Sequence, residues 1–150
     1  GVGVGAGVSS AGRRKTAALW GAMVADQLKL PYIYVRPKPK EHGLGNQIEG
    51  YYEAGKKCVV IEDLVSTGKS SLQVVGILKN SGLEVTGMVS IFTYGFQVAT
   101  EAFQKASLPY YSLTDYPTLV ELAISKNMIP VEQQELLMKW RENPGEWGRP

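Results

Sequence analysis

Strand-like apolar runs alternating with helical patterns of about ten to fifteen residues predict an α/β fold with a mostly parallel, twisted sheet flanked by helices. Two observations support this class. Cys58-Val59-Val60-Ile61 is a short continuous apolar run of the kind that parallel sheets bury on both faces. The segments after each strand pattern carry apolar residues at helical spacing. At 150 residues the chain fits one domain, residues 1–150, burying roughly 70% of the surface its unfolded form exposes.

The elements follow in order. Val2–Val8 is a glycine-rich strand candidate, and Thr16–Leu28 is a helix with Ala17, Trp20, Val24 and Leu28 on one face. Pro31–Arg36 holds four strand formers, Tyr32 to Val35. Pro37–Gly50 is a polar loop with two prolines, three glycines and four charges, and a buried strand is expected over Cys58–Ile61. A helix over Lys69–Asn80 turns Leu72, Val75 and Leu78 inward and stops at Gly82. Val85–Phe92 is the next strand, Gln97–Ala106 the next helix and Tyr110–Leu113 a short strand. Thr118–Asn127 is helical, and Pro130 opens a final helix with Leu136, Leu137 and Trp140 on its apolar side.

Composition removes several function classes. With 44% hydrophobic and 20% charged residues the chain is no disordered segment. Sixteen basic against fourteen acidic residues give a net charge of +2, too little for a nucleic-acid footprint. No stretch reaches the ~18–20 apolar residues of a membrane span, and Gly1–Gly12 lacks the basic region that precedes a signal-peptide core. Cys58 is the single cysteine, expected as a buried thiol, and no disulfide framework argues for an oxidising compartment. A cytoplasmic location is the expectation. The chain opens at a glycine inside a strand pattern, so residues are expected to precede Gly1. Glycine is in surplus: 17 residues, about 11% against a usual ~7%. Loops that approach a ligand closely are one use for them.

The chemistry concentrates in Val59-Val60-Ile61-Glu62-Asp63-Leu64-Val65-Ser66-Thr67-Gly68-Lys69-Ser70-Ser71. A buried strand is expected to end in two adjacent carboxylates, followed by a loop of small hydroxylated residues and a helix start. Backbone N–H groups and the helix dipole then favour a phosphate, and Gly68 lets the backbone come close. Ser66, Thr67 and Ser70 add hydroxyl donors, while Glu62 and Asp63 can accept from ribose hydroxyls. Two other phosphate motifs fail. Gly68-Lys69-Ser70 ends like a Walker A loop, but Asp63 stands where that motif needs glycine. Gly1, Gly3 and Ala6 meet a relaxed dinucleotide pattern without the preceding strand or the later acid.

Val59–Ser71 resembles the phosphoribosyl-pyrophosphate motif of the type I phosphoribosyltransferases. Tyr34-Val35-Arg36-Pro37-Lys38-Pro39-Lys40-Glu41-His42-Gly43-Leu44-Gly45-Asn46-Gln47-Ile48-Glu49-Gly50 resembles the mobile catalytic loop of the orotate phosphoribosyltransferases. Leu113–Leu119, Trp140–Pro144 and Glu146–Gly148 are also similar to that family, so the likeness runs from about Ala17 to Gly148. It implies a type I phosphoribosyltransferase fold with a C-terminal helical hood element, while the N-terminal hood has no counterpart here. It also implies transfer of a phosphoribosyl group to orotate, giving orotidine 5′-monophosphate and pyrophosphate, in pyrimidine biosynthesis.

By the same resemblance Arg36, Lys40 and His42 contact pyrophosphate, with Lys40 the catalytic cation. Glu62 and Asp63 hold the ribose hydroxyls near the reacting carbon. Leu64, Val65, Ser66, Thr67, Gly68, Lys69 and Ser70 form the phosphoribosyl-pyrophosphate cradle, and Ser66 also reaches orotate. Mg2+ is the implied cofactor, held mainly by substrate oxygens rather than by a protein metal site. Gly43, Gly45 and Gly50 serve as loop hinges. The partner is a second copy of the chain, in a homodimer with shared active sites; neither nucleic acid nor membrane is implied. Three departures stand out: Pro37 replaces a common lysine, with Lys38 one place later; Phe92-Thr93-Tyr94-Gly95 stands where some relatives place an orotate-reading arginine; and Arg13-Arg14-Lys15 follows Gly7–Gly12 where apolar residues are expected. Two readings compete with this one: a non-catalytic sensor of phosphoribosyl pyrophosphate, and a phosphoribosyltransferase for another base.

Overall fold

A computed structural model describes residues 2–8, 16–36 and 47–145, with the backbone alone for residues 2–8 and residue 16. The elements are β1 (Val2–Val8), α1 (Thr16–Leu28), β2 (Tyr32–Val35), β3 (Ile48–Glu49), β4 (Lys57–Val65), α2 (Lys69–Asn80), β5 (Glu84–Thr93), α3 (Gln97–Lys105), β6 (Tyr110–Asp115), α4 (Tyr116–Ser125) and α5 (Gln134–Glu142). Among the described residues the strands form one sheet in the order β3-β2-β1-β4-β5-β6. Every pairing is parallel except β2–β3. The chain first steps outward from β1 to β2, then crosses back to place β4 on the other side of β1. Strand order therefore reverses between β1 and β4, the kind of position beside which ligands bind in open α/β sheets.

Right-handed crossovers running in opposite directions put α1 on one face and α2 and α3 on the other. On the α2–α3 face Ile33, Val60 and Met88 lie in one register row. They share the buried core with Val74, Val75 and Leu78 of α2 and with Ala99 and Phe103 of α3. Cys58 lies in that core, and burial pushes its thiol up to about 11, so it stays protonated and inert. Gly82, at φ +84, takes the left-handed conformation that ends α2, as its place in the sequence predicts.

The α1 face holds a reversal. Helical spacing selects Ala17, Trp20, Val24 and Leu28 as the inward face, yet α1 buries Ala17, Gly21 and Ala25 and leaves Leu28 62% exposed. The reason lies in the strand beneath. Gly5 pairs with Tyr32 and Val59, and Gly7 with Tyr34 and Ile61. The Tyr32 hydroxyl donates to the Ala18 carbonyl of α1 at 2.8 Å, which places this row under the helix. A strand with glycines on that face admits close approach only from a helix that is also thin there. Trp20, Val24 and Leu28 are displaced to the flank. With Ile61, Val89, Ile91 and Leu113 they line an apolar groove of about 670 Å³.

Other differences are local. β4 runs to Val65, beyond the apolar run, so Glu62 and Asp63 lie inside the strand rather than after it. β3 is two residues long and owes its existence to pairing with β2. α4 starts at Tyr116 because Asp115, the last residue of β6, caps it by accepting from the Thr118 N–H at 2.9 Å. Pro130 opens a 3-10 turn, Val131–Gln133, ahead of α5 instead of the helix itself. No helix among the described residues is long and apolar enough to cross a membrane.

Since α1 rests on its small residues, Ala25→Leu should overpack that contact and cost about 1–3 kcal/mol in urea unfolding. Gln27→Ala, on the exposed side, should stay within about 0.5 kcal/mol of the parent.

Candidate active site

Adjacent residues of a strand point to opposite faces, and β4 carries this rule through its two acids. Glu62, paired with Ser90 in the row after Val60–Met88, turns toward α2, where its Oε1 accepts from the Ser71 hydroxyl at 2.9 Å. Its residue exposure is 1%, and Oε2 has no hydrogen-bond partner among the described residues. Asp63 turns the other way and is half-buried, with Oδ1 accepting from the Leu64 N–H at 2.8 Å. Leu64 is exposed and Val65 is buried.

Ser66 to Gly68 then make the turn into α2. Gly68 adopts φ +75, and its carbonyl accepts the first helical hydrogen bond, from the Leu72 N–H at 3.0 Å. Among the described residues no side chain caps this helix, and its first-turn N–H groups, with the helix dipole behind them, are of the kind that can take an anion. Lys69 and Ser70 are exposed in that turn. A β-carbon at position 68 would lie 2.7 and 2.8 Å from Phe103 ring atoms, so the loop rests directly on an α3 aromatic.

Neighbouring strands end at the same edge. Arg36 follows β2; its N–H donates to the Gln47 carbonyl at 2.7 Å, and its guanidinium pairs with Glu49 at 3.0 Å. These contacts clamp the base of the segment between residues 36 and 47. Lys40 and His42 lie outside the described residues, as do Pro37, Lys38, Gly43, Gly45, Arg13-Arg14-Lys15 and Glu146–Gly148. The structure thus brings Asp63, the Ser66–Ser70 turn and Arg36 to the carboxyl edge of the sheet beside the strand reversal.

No family model matches the chain. It is 47% identical over 142 residues to the orotate phosphoribosyltransferase of Cytophaga hutchinsonii, covering 95% of this chain and 66% of that protein. It is 56% identical over 123 residues to the orotate phosphoribosyltransferase of Bacillus subtilis, covering 82% of this chain and 57% of that protein. The crystal structure of orotate phosphoribosyltransferase from Aeropyrum pernix superposes with a TM-score of 0.69 at 28% identity, over 80% of this chain and 64% of that one. This chain belongs to the orotate phosphoribosyltransferase family. It has the mostly parallel, helix-flanked sheet of the type I phosphoribosyltransferases, and it spans 57% to 66% of the length of these two sequence relatives.

After β5, over Tyr94–Phe96, this chain builds an aromatic cluster. The Tyr94 N–H donates to the Val65 carbonyl at 3.0 Å, which seats the β5 exit beside the turn. Tyr94 stacks on Phe96, with ring centroids 5.2 Å apart, and Tyr116 and Trp140 close around it. Arg141 donates from Nη1 to the Gly95 carbonyl at 3.2 Å, and a β-carbon on Gly95 would lie 3.0 Å from the same nitrogen. The Trp140-Arg141 segment therefore ties α5 to the end of β5. The adjacent aromatics at Tyr94 and Phe96, next to a strand end, are the signal that could have marked this cluster.

Two predictions follow from this geometry. Gly68→Ala combines a left-handed φ with collision against Phe103 and should cost about 1–3 kcal/mol in chemical unfolding. Burial, partly opposed by the Ser71 hydrogen bond, raises the Glu62 carboxyl to about 7. Its native form holds a proton more tightly than the unfolded chain does. The associated stability is therefore full below the ordinary value of 4.5 and is lost as pH rises through about 7. Urea midpoints measured from pH 5 to 8 should fall less steeply in Glu62→Gln than in the parent.

Proposed function

We propose that this protein transfers the phosphoribosyl group of phosphoribosyl pyrophosphate to orotate, forming orotidine 5′-monophosphate and releasing pyrophosphate, in the cytoplasm. The observation that carries this reading is the uncapped N-terminus of α2, entered through left-handed Gly68 and set beside Asp63 at the strand-order reversal. The names of the sequence relatives support the choice of orotate.

In this mechanism the N–H groups of the Ser66–Ser70 turn hold the 5′-phosphate, with Ser66, Thr67 and Ser70 adding hydroxyls. Asp63 accepts from the ribose hydroxyls and lies on the side where positive charge grows on the sugar ring. Arg36, with Lys40 and His42 from the following segment, neutralises the leaving pyrophosphate, so the rate gain is chiefly positioning and electrostatics. Ser66 also reaches the base. Asp63 already has one oxygen engaged by the Leu64 N–H, and the described residues contain no cluster of three metal-ligating side chains. The implied ion is Mg2+, which keeps its waters and takes phosphate oxygens from a substrate. When bound, the ion offsets charge on the pyrophosphate. The two sites of a homodimer are shared, each Lys40 segment serving its partner.

Incubation of the full-length protein with phosphoribosyl pyrophosphate, Mg2+ and each of orotate, uracil, adenine and hypoxanthine should consume orotate alone; consumption of a purine alone would overturn the reading. Lys40→Ala should lower turnover by on the order of a hundredfold or more. Mixing Lys40→Ala with Asp63→Ala chains should recover activity if sites are shared, and confirmed heterodimers without recovery would exclude sharing.

A further inference from the structure

Glu62 and Asp63 are adjacent in sequence but not equivalent in space, and the difference assigns them different work. Val60 and Glu62 share the face of β4 that packs on α2, while Asp63 lies on the opposite face. The Glu62 carboxyl is sealed from solvent, and among described side chains it has a single partner, the Ser71 hydroxyl. Ser71 is itself 2% exposed and sits in the first turn of α2, one residue before the N–H that closes on the Gly68 carbonyl. The Ser71 bond thus ties β4 to the helix turn that frames the proposed phosphate site.

We propose, on the reading of the site given above, that Glu62 is a positioning residue: it fixes the first turn of α2 through Ser71 and leaves Asp63 as the sole acid of the pair that touches ribose. Solvation cannot compensate a sealed carboxyl whose partner is lost, so the Glu62–Ser71 bond couples any displacement of the turn to a buried polar group. What the site requires from position 62 is then a hydrogen-bonding side chain of this length and shape, not a negative charge at the sugar.

The test compares Glu62→Gln, Glu62→Ala, Ser71→Ala and Asp63→Asn in the full-length protein. Glu62→Ala and Ser71→Ala should each raise KM for phosphoribosyl pyrophosphate about tenfold with a smaller change in kcat. The double variant should be no worse than the poorer single one, since both remove the same link. Glu62→Gln should recover most of what Glu62→Ala loses, whereas Asp63→Asn should lower kcat on the order of a hundredfold. A Glu62→Gln variant as impaired in kcat as Asp63→Asn would overturn the inference, and so would additive losses in the double variant. Amide exchange at Leu72 gives a readout independent of catalysis. It should accelerate in Glu62→Ala and Ser71→Ala but not in Glu62→Gln; unchanged exchange in all three would also overturn the proposal. An active parent with a failed Glu62→Gln rescue rejects this role alone, whereas a parent inert toward orotate rejects the proposed reaction.

Discussion

Reversal of strand order between β1 and β4 is the constraint on which this structure turns. Parallel neighbours cannot be joined by a tight turn, so each pairing demands a crossover, and each crossover has the same hand. Going outward to β2 and back to β4 forces α1 and α2 onto opposite faces. The carboxyl ends of β1 and β4 then stand side by side at the point where strand order reverses. Asp63, Gly68 and the start of α2 stand at that point because β4 is the first strand after the reversal. Placed on β6, the same thirteen-residue motif would face the sheet's rim.

Described contacts fix both sides of the sheet's carboxyl edge. The Ser66–Gly68 turn is fixed from below by Phe103 and from the side by the Tyr94–Val65 hydrogen bond. The aromatic cluster of Tyr94, Phe96, Tyr116 and Trp140 joins α4 and α5 to the end of β5, burying large flat surfaces against one another. On the other side the Arg36–Gln47 and Arg36–Glu49 contacts hold the two ends of the basic segment together.

Legibility in the sequence followed the range of the interactions involved. α2 could be read almost to the residue because Leu72, Val75 and Leu78 repeat locally and Gly82 stops it. The acid pair and turn were legible because both are built from consecutive residues. β4 reads short because Glu62 and Asp63 break its apolar run, although the backbone continues pairing with β5 through Val65. The opposite orientation of the two acids follows once that extension is known. β3 carried no local signal, since two residues become a strand only when β2 lies beside them. The Arg141–Gly95 contact spans 46 positions, a distance over which no periodicity reports. The face of α1 was misread because hydrophobic spacing rewards bulk, whereas closeness to a glycine strand rewards its absence.

That glycine strand changes what holds α1 in place. Helices that interlock through large side chains are fixed along their axes by ridges lying in grooves. Ala17, Gly21 and Ala25 resting over a glycine row make a smoother contact, strong against separation and weak against sliding. The Tyr32 hydroxyl, bonded to the Ala18 carbonyl, is the latch that sets the helix's position along the strand. Burial pushes that hydroxyl up to about 12, so it remains a donor throughout the physiological range. A single phenolic proton thereby does the indexing that ridges and grooves do elsewhere.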